Sequence, residues 1–109
     1  MSIICNVSDL AKNSGICALL TVNGQEQQVA IYYLPETEKK VFALGNWDPI
    51  GEANVMSRGI IGNVGDELVV ASPLYKQHFS LVSGQCLEED ASVPVYDVSL
   101  DGQDVVFFG

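Results

Sequence analysis

Short apolar runs separated by turn residues constrain this chain more than any other sequence feature. The runs are rich in Val, Ile, Tyr and Phe, and no window of the sequence sustains a helical period. Runs of β-branched and aromatic residues bounded by Gly, Pro, Asn and Asp are typical of strands. The sequence therefore predicts an all-β fold, and a length of 109 residues predicts one domain over residues 1–109.

Two hairpins are the clearest predicted units, because Asn23-Gly24 and Asp101-Gly102 are strong turn signals. The first hairpin joins residues 16–22 to 28–34, and the second joins residues 94–100 to 104–108. Ser8 is expected to cap a helical turn over residues 9–12. Four further strands are predicted at residues 3–5, 41–44, 67–71 and 77–81.

Residues 45–65 interrupt this regular pattern. The stretch holds Trp47, Asp48 and several glycines, and we interpret it as a long loop with one or two short strands. Gly59, Gly62 and Gly65 are assigned to turns. Because long loops in small domains usually serve a function, this region is the first place to search for one.

The charge balance excludes several classes of partner. Fourteen acidic and five basic side chains give a net charge of −9. Nucleic acids and anionic membranes both require a basic face, so we expect neither as a partner, whereas a basic protein partner remains open. The first residues lack the basic start and apolar core of a signal peptide, and no apolar run is long enough for a membrane span, so a cytoplasmic location is expected.

Cysteine and histidine are too few and too scattered to predict a metal site. Cys5, Cys17 and Cys86 form no Cys-x-x-Cys pair, and we interpret them as small buried apolar residues, with a disulfide or reactive thiol as the alternative. The single histidine, His78, is predicted on the opposite strand face from Phe79 and has no recognisable nucleophile partner. The sequence thus predicts no metal site and no catalytic residue.

Carboxylates offer no catalytic pair either. Asp48 and Glu52 lie close together in the long loop, but an acid–base pair needs burial, which we do not expect there. The acidic run at residues 88–90 lacks the spacing of a calcium loop and is interpreted as a solvated connector.

Two segments resemble the cluster-binding loops of Rieske [2Fe–2S] domains. Residues 41–50, VFALGNWDPI, resemble the strand and loop that carry Cys-Pro-His in that family, and residues 67–75, ELVVASPLY, resemble the strand and loop that carry Cys-Pro-x-His. The resemblance is strongest over residues 41–86, and the rest of the chain shares only the pattern of strands. It implies a Rieske-like antiparallel β-sandwich or barrel with a smaller inserted two-loop subdomain over about residues 45–77.

The four ligand positions of that family are all substituted here. Aligning the prolines places Asp48 and Ile50 at the first Cys and His, and Ser72 and Tyr75 at the second pair. Rieske iron requires thiolate and imidazole ligands, which none of these residues supplies. The resemblance therefore implies a Rieske fold that has lost its cluster, and we expect this chain to bind no cofactor.

Further motifs are similar to the small-subunit family of bacterial cytoplasmic NAD(P)H-dependent nitrite reductases. They are Asn46-x-Asp48-Pro49, residues 55–59 and residues 71–79. This resemblance implies a non-catalytic accessory subunit of an ammonia-forming enzyme. It also implies a large-subunit partner that holds siroheme, an iron–sulfur cluster, FAD and the NAD(P)H site. The alternatives are a free-standing Rieske-like protein-interaction module and an electron-transfer module.

Two hypotheses concern the former cluster loops. In the first, Asp48 accepts hydrogen bonds from backbone N–H groups, Ser72 or Tyr75, while apolar neighbours fill the metal pocket; these neighbours are Trp47, Pro49, Ile50 and Leu74. In the second, exposed residues of the loops bind the partner, because aromatic residues are favoured interface anchors. The partner-binding candidates are Trp47, Leu74, Tyr75 and Lys76, and their alternative role is to cap the core.

Overall fold

A computed structural model describes residues 2–108, and its fold class is all-β, as predicted. Twelve strands and two short 3₁₀ turns make up its regular structure; no helix among residues 2–108 has the length and apolar character to cross a membrane. The strands are β1 (Ser2–Asn6), β2 (Ser14–Val22), β3 (Gln25–Tyr33), β4 (Val41–Gly45), β5 (Trp47–Asp48), β6 (Ala53–Asn54), β7 (Ile60–Val64), β8 (Glu67–Ala71), β9 (His78–Ser80), β10 (Val95–Tyr96), β11 (Val98–Asp101) and β12 (Asp104–Phe107). The 3₁₀ turns are Val7–Asp9 and Met56–Arg58.

The strands form four antiparallel sheets. A central sheet has the order β10-β4-β3-β2, and a three-stranded sheet has the order β1-β12-β11. A second three-stranded sheet, β7-β8-β9, and the two-stranded sheet β5-β6 come mostly from the region that resembles the inserted subdomain. The two segments that resemble cluster-binding loops turn directly after β5 and β8.

Both predicted hairpins are present. Asn23 and Gly24 have φ of 53° and 79°, the left-handed pair that a type I′ turn requires, and β2 pairs with β3 from Ser14↔Tyr33 to Val22↔Gln25. The closing hairpin turns one residue later than predicted, because Asp101 pairs with Asp104 and leaves a two-residue loop at 102–103.

Three local predictions were wrong. The helical turn covers Val7–Asp9 rather than residues 9–12, because Asn6 and not Ser8 accepts the capping hydrogen bond. The predicted strand at 94–100 divides at Asp97, since β10 pairs with β4 whereas β11 pairs with β12.

The third error concerns Gly62, which was assigned to a turn. It lies inside the five-residue strand β7 and pairs with Val69. The long loop is therefore shorter and more ordered than its glycine content indicated.

The middle of the central sheet, formed by β4 and residues 29–32 of β3, is buried on both faces. Along β3, Val29 and Ile31 face a core shared with the β1-β12-β11 sheet, whereas Ala30 and Tyr32 face a core shared with β8 and β9. Side chains alternate along a strand, so burial of both faces explains why β4 and residues 29–33 of β3 are continuous apolar runs. The second core contains Met56, and it supports the two loops from below.

Candidate functional site

Two loops with the same backbone turn form the candidate site. In the first loop, residues 48–52, the N–H of Glu52 donates to the carbonyl of Asp48 at 2.7 Å. In the second loop, residues 72–76, the N–H of Lys76 donates to the carbonyl of Ser72 at 3.0 Å. The fifth residue of each turn is left-handed, with φ of 57° in Glu52 and 61° in Lys76. Each loop also has proline in its second position, so the two turns are close structural copies.

Asp48 organises the first loop from a buried position. Asp48 is only 1% exposed. Its Oδ1 accepts hydrogen bonds from the N–H groups of Ile50 at 2.8 Å and Gly51 at 3.0 Å. The expectation that this carboxylate would be exposed was wrong, because the second loop covers it. The predicted hydrogen bonds from backbone N–H groups are confirmed.

A side-chain hydrogen bond joins the two loops. The hydroxyl of Ser72, also 1% exposed, donates to Oδ2 of Asp48. The same Ser72 oxygen lies 3.5 Å from the N–H of Leu74, so it repeats weakly the bond that Asp48 makes within its own loop. The predicted contact between Asp48 and Ser72 is confirmed, whereas Tyr75 takes no part in it.

A glycine allows the loops to approach this closely. A Cβ atom on Gly51 would overlap the side chain of Leu74 and lie 2.9 Å from Oδ2 of Asp48. Leu74 therefore packs directly on the Gly51 backbone, and Ile50 packs partly buried against the core that contains Met56. Of the residues expected to fill the metal pocket, Ile50 and Leu74 make these contacts.

Four exposed side chains lie within four positions of Asp48 or Ser72 in the chain. Tyr75 is 65% exposed, Trp47 49% and Leu74 45%, and Lys76 is exposed as well. Trp47 therefore does not fill the former pocket as expected. We call these four residues the tip patch. It consists of three large apolar or aromatic side chains and one cation.

Asn46 and Tyr32 join residues 56–57 to the central sheet, and the sequence interpretation missed both roles. The Asn46 side chain is 2% exposed and accepts from the N–H of Ser57 at 2.8 Å while donating to Oε1 of Gln28 at 3.2 Å. The Tyr32 hydroxyl donates to the Met56 carbonyl at 2.6 Å, and burial raises the pKa of this phenol. Asn46 directly follows the apolar strand β4 and precedes Trp47. A polar residue at that position was the sequence signal for a buried hydrogen-bonding role.

The donor set does not fit a [2Fe–2S] cluster. Asp48 and Ser72 are hydrogen-bonded to each other, and the side chain of Ile50 has no atom that could ligate iron. Tyr75 is 65% exposed. Within residues 2–108, no group of three or more His, Cys, Asp or Glu side chains is arranged to hold a metal ion. The two loops are thus joined by hydrogen bonds and packing where the family uses iron.

His78 and the cysteines form no catalytic arrangement in the described chain. His78 uses Nδ1 to contact Oε2 of Glu88 at 2.7 Å, and its backbone N–H donates to Oε1 of the same residue. That backbone hydrogen bond is the main reason why the pKa of Glu88 lies below its ordinary value. Cys86 is buried, Cys5 is intermediate, and Cys17 is exposed; the interpretation of Cys17 as a buried apolar residue was wrong, because β2 is an edge strand.

Comparison with known proteins gives consistent matches. The family model described as Rieske-like [2Fe-2S] domain matches residues 2–107. The nitrite reductase (NADH) small subunit of Salmonella typhimurium is 47% identical over 95 residues, which cover 86% of this chain and 83% of that protein. The solution structure of the Escherichia coli protein NirD is 40% identical with a TM-score of 0.81, and the match covers 95% of this chain and 91% of that one.

One relative is a much longer protein. The large subunit of nitrite reductase [NAD(P)H] from Klebsiella oxytoca is 37% identical over 99 residues, which cover 90% of this chain but 10% of that protein. A segment similar to this chain is therefore covalently part of that large subunit.

Proposed function

The chain belongs to the family of Rieske-like [2Fe-2S] domains, and we propose that it is the small subunit of an NAD(P)H-dependent nitrite reductase. In this role it is a non-catalytic accessory subunit that binds the large subunit, which converts nitrite to ammonium. The observation that carries the proposal is 47% identity to a nitrite reductase small subunit over most of both chains. The substituted ligand positions support the absence of a redox role for the chain itself.

Association with the large subunit is further supported by the Klebsiella oxytoca relative. There, the similar segment shares one polypeptide with a nitrite reductase large subunit. A domain that is fused to its partner in one protein and separate in another is expected to contact that partner in both. The small subunit described here would make that contact as a separate chain.

We place the contact at the tip patch, which consists of Trp47, Leu74, Tyr75 and Lys76. All four side chains are exposed, although three of them are apolar or aromatic, and the hydrogen-bonded loops beneath them hold the backbone in place. Such aromatic groups on a rigid support lose little conformational entropy on binding and are common interface anchors. The capping role that was the alternative would require these side chains to be buried.

The cofactors of the complex are assigned to the partner. Siroheme, an iron–sulfur cluster, FAD and NAD(P)H would all lie in the large subunit, as the resemblance to the small-subunit family implies. Consistent with this assignment, residues 2–108 hold no group of three or more His, Cys, Asp or Glu side chains arranged for a metal ion. The proposed location of the complex is the cytoplasm, where NAD(P)H is available. We also propose that residues 1–109 act as one domain whose two-loop subdomain spans about residues 45–77.

Reconstitution tests this function. The large subunit from the same organism is purified without its small subunit, and NAD(P)H-dependent formation of ammonium from nitrite is measured before and after adding this chain. We expect a stable complex and a higher rate of ammonium formation. Absence of both complex and rate increase would contradict the proposal.

Iron analysis of the purified chain distinguishes the electron-transfer alternative. An accessory subunit contains no stoichiometric iron and shows no visible absorption, whereas a ferredoxin shows both. A second preparation with Asp48→Cys, Ile50→His, Ser72→Cys and Tyr75→His tests whether the fold binds a cluster once the family's ligands are supplied.

A further inference from the structure

A groove that includes Trp47 of the tip patch has an uncharged lining, unlike two other grooves of the described chain, which include Lys39 and Asp97 or Glu36. It has a volume of about 360 Å³ and lies where β4 leaves the central sheet. Its walls combine rings with amide side chains, among them Trp47, Pro94, Tyr96, Gln27, Gln28 and Asn54. Within residues 2–108 none of the lining residues is charged, although the chain carries nineteen acidic or basic side chains.

One wall of the groove is an open strand edge. β4 ends at Gly45, which pairs with Val29, so residues 25–28 of β3 have no strand beside them on this side within the described chain. The N–H of Asn46 donates to the Gln28 carbonyl at 3.1 Å, so the backbone of Gln28 points toward the side of β3 where β4 has ended, and its carbonyl is already paired. Backbone groups alternate in direction along a strand, so the N–H and C=O of Glu26 face the same side. An extended segment can pair with this edge.

Exposed acidic residues adjoin the groove lining in the sequence, and the chain as a whole has a net charge of −9. Glu26 adjoins Gln27, Asp97 adjoins Tyr96, and Glu52 and Asp90 each lie two residues from a lining residue; all four side chains are exposed. A segment that fits this groove therefore has an uncharged centre, which packs against the rings and bonds to the amides, and basic residues at its ends.

We propose that this groove binds an extended segment of the large subunit, uncharged in the middle and flanked by Lys or Arg. The inference rests on the proposed function, because it takes the large subunit as the partner. Trp47 belongs both to the groove and to the tip patch, so the bound segment would continue the same contact surface along the sheet edge. The segment would add a strand at the place where β4 departs.

A matched pair of charge substitutions tests the groove. Gln27→Glu places a negative charge in the uncharged lining, whereas Gln25→Glu makes the same change two residues earlier on the same face of β3, outside the groove. We expect Gln27→Glu to raise the Kd for the large subunit roughly tenfold, while Gln25→Glu leaves it within about twofold. Circular dichroism confirms that both variants fold, and isothermal titration calorimetry gives the Kd values.

The outcomes separate the two proposals. If the wild-type chain binds and both variants bind equally well, the groove proposal is wrong and the accessory function stands. If the wild-type chain itself fails to bind the large subunit, the proposed function is wrong and the groove proposal falls with it.

Photocrosslinking then identifies the segment. A benzophenone amino acid replaces Asn54, which is exposed in the groove, or Asn63, which is exposed on β7 outside it. We expect the probe at position 54 to link to one large-subunit peptide with an uncharged centre and basic flanks, and the probe at position 63 to give no such link. A link from position 54 to an acidic peptide, or the same peptide from both positions, would overturn the proposal.

Discussion

The two loops of the tip have the same backbone turn but different roles for their side chains. Both close with a hydrogen bond from the fifth residue to the first, and both bury that first residue to 1% exposure. In the first loop, Asp48 holds two backbone N–H groups and Gly51 leaves room for the neighbouring loop. In the second loop, the equivalent of Gly51 is Tyr75, which is 65% exposed.

This difference assigns separate tasks to the four positions that resemble the cluster ligands of Rieske domains. The positions that resemble the two cysteines, Asp48 and Ser72, now hold the loops together. The positions that resemble the two histidines have separated, since Ile50 joins the core and Tyr75 faces outward. Structural metals contribute on the order of 10 kcal/mol to the free energy of folding of small domains. Without such a contribution, the buried hydrogen bonds between the two loops are a main source of their stability. Asp48 and Ser72 thus stabilise the contact between the loops, whereas Tyr75 is available for contacts outside the molecule.

The largest effect is expected from Asp48→Ala. The substitution leaves the N–H groups of Ile50 and Gly51 and the hydroxyl of Ser72 without their acceptor in a buried place. We expect a loss of about 2–4 kcal/mol in the free energy of unfolding, measured by urea denaturation. Glu52→Ala changes an exposed carboxylate of the same loop and is expected to cost less than about 0.5 kcal/mol. If the two variants unfold at the same urea concentration, Asp48 stabilises the protein no more than the exposed Glu52 does.

The next largest effect is expected from Gly51→Ala, which pushes the loops apart. The new methyl group would overlap Leu74 and crowd Oδ2 of Asp48, at a cost of about 1–3 kcal/mol. Gly62→Ala is the matched control, because a Cβ atom at Gly62 meets nothing within 4 Å. If thermal unfolding shows the same midpoint for both alanine variants, the close packing of the two loops is not a source of stability.

Tyr75→Ala is expected to affect binding rather than folding. Because the ring is largely exposed, the free energy of unfolding should change by less than about 0.5 kcal/mol, whereas the Kd for the large subunit should rise about tenfold. Ile60→Ala removes another exposed apolar side chain, 71% exposed on β7, and should leave the Kd unchanged. Unaltered binding by folded Tyr75→Ala would place the partner contact elsewhere on the molecule.

The smallest effect is expected at Glu88, a surface hydrogen-bond acceptor that contrasts with the buried Asp48. The pKa of Glu88 is lowered, first by the backbone N–H of His78. A carboxyl group whose folded pKa is lowered stabilises the protein above its unfolded pKa, and this contribution disappears as the pH falls through the folded pKa. Thermal midpoints of wild type and Glu88→Gln should therefore differ slightly at neutral pH and converge in acid. Glu89→Gln, in the same acidic run, should follow the wild-type curve, and a persistent difference for Glu88→Gln in acid would contradict this role.

Local turn chemistry made much of the fold predictable. Asn23-Gly24 predicts a hairpin because both residues adopt left-handed φ easily, and the apolar content of β3 and β4 predicts strands. Those features depend on neighbours within a few residues. The substituted ligand positions were equally visible, because a change from Cys or His to Asp48, Ile50, Ser72 or Tyr75 alters donor chemistry whatever the fold.

Contacts between distant parts of the chain were harder to predict. The burial of Asp48 depends on Ser72, 24 positions away, so its own loop sequence indicated an exposed carboxylate. Cys17 was expected to be buried, yet only the strand order places β2 at the edge of the sheet. Likewise, nothing near Asp97 reveals that the strands on its two sides pair in different sheets.

The sequence by itself determined the β architecture, the main turns and the loss of thiolate and imidazole side chains at the four positions that resemble cluster ligands, because each follows from the conformational and chemical properties of residues taken locally. Only the tertiary structure decided which polar groups became buried partners, which loop residues faced solvent and where an uncharged groove opened beside them. Those outcomes depend on the meeting of strands and loops that are far apart in the chain, and burial and hydrogen bonding are properties of such meetings rather than of any single residue.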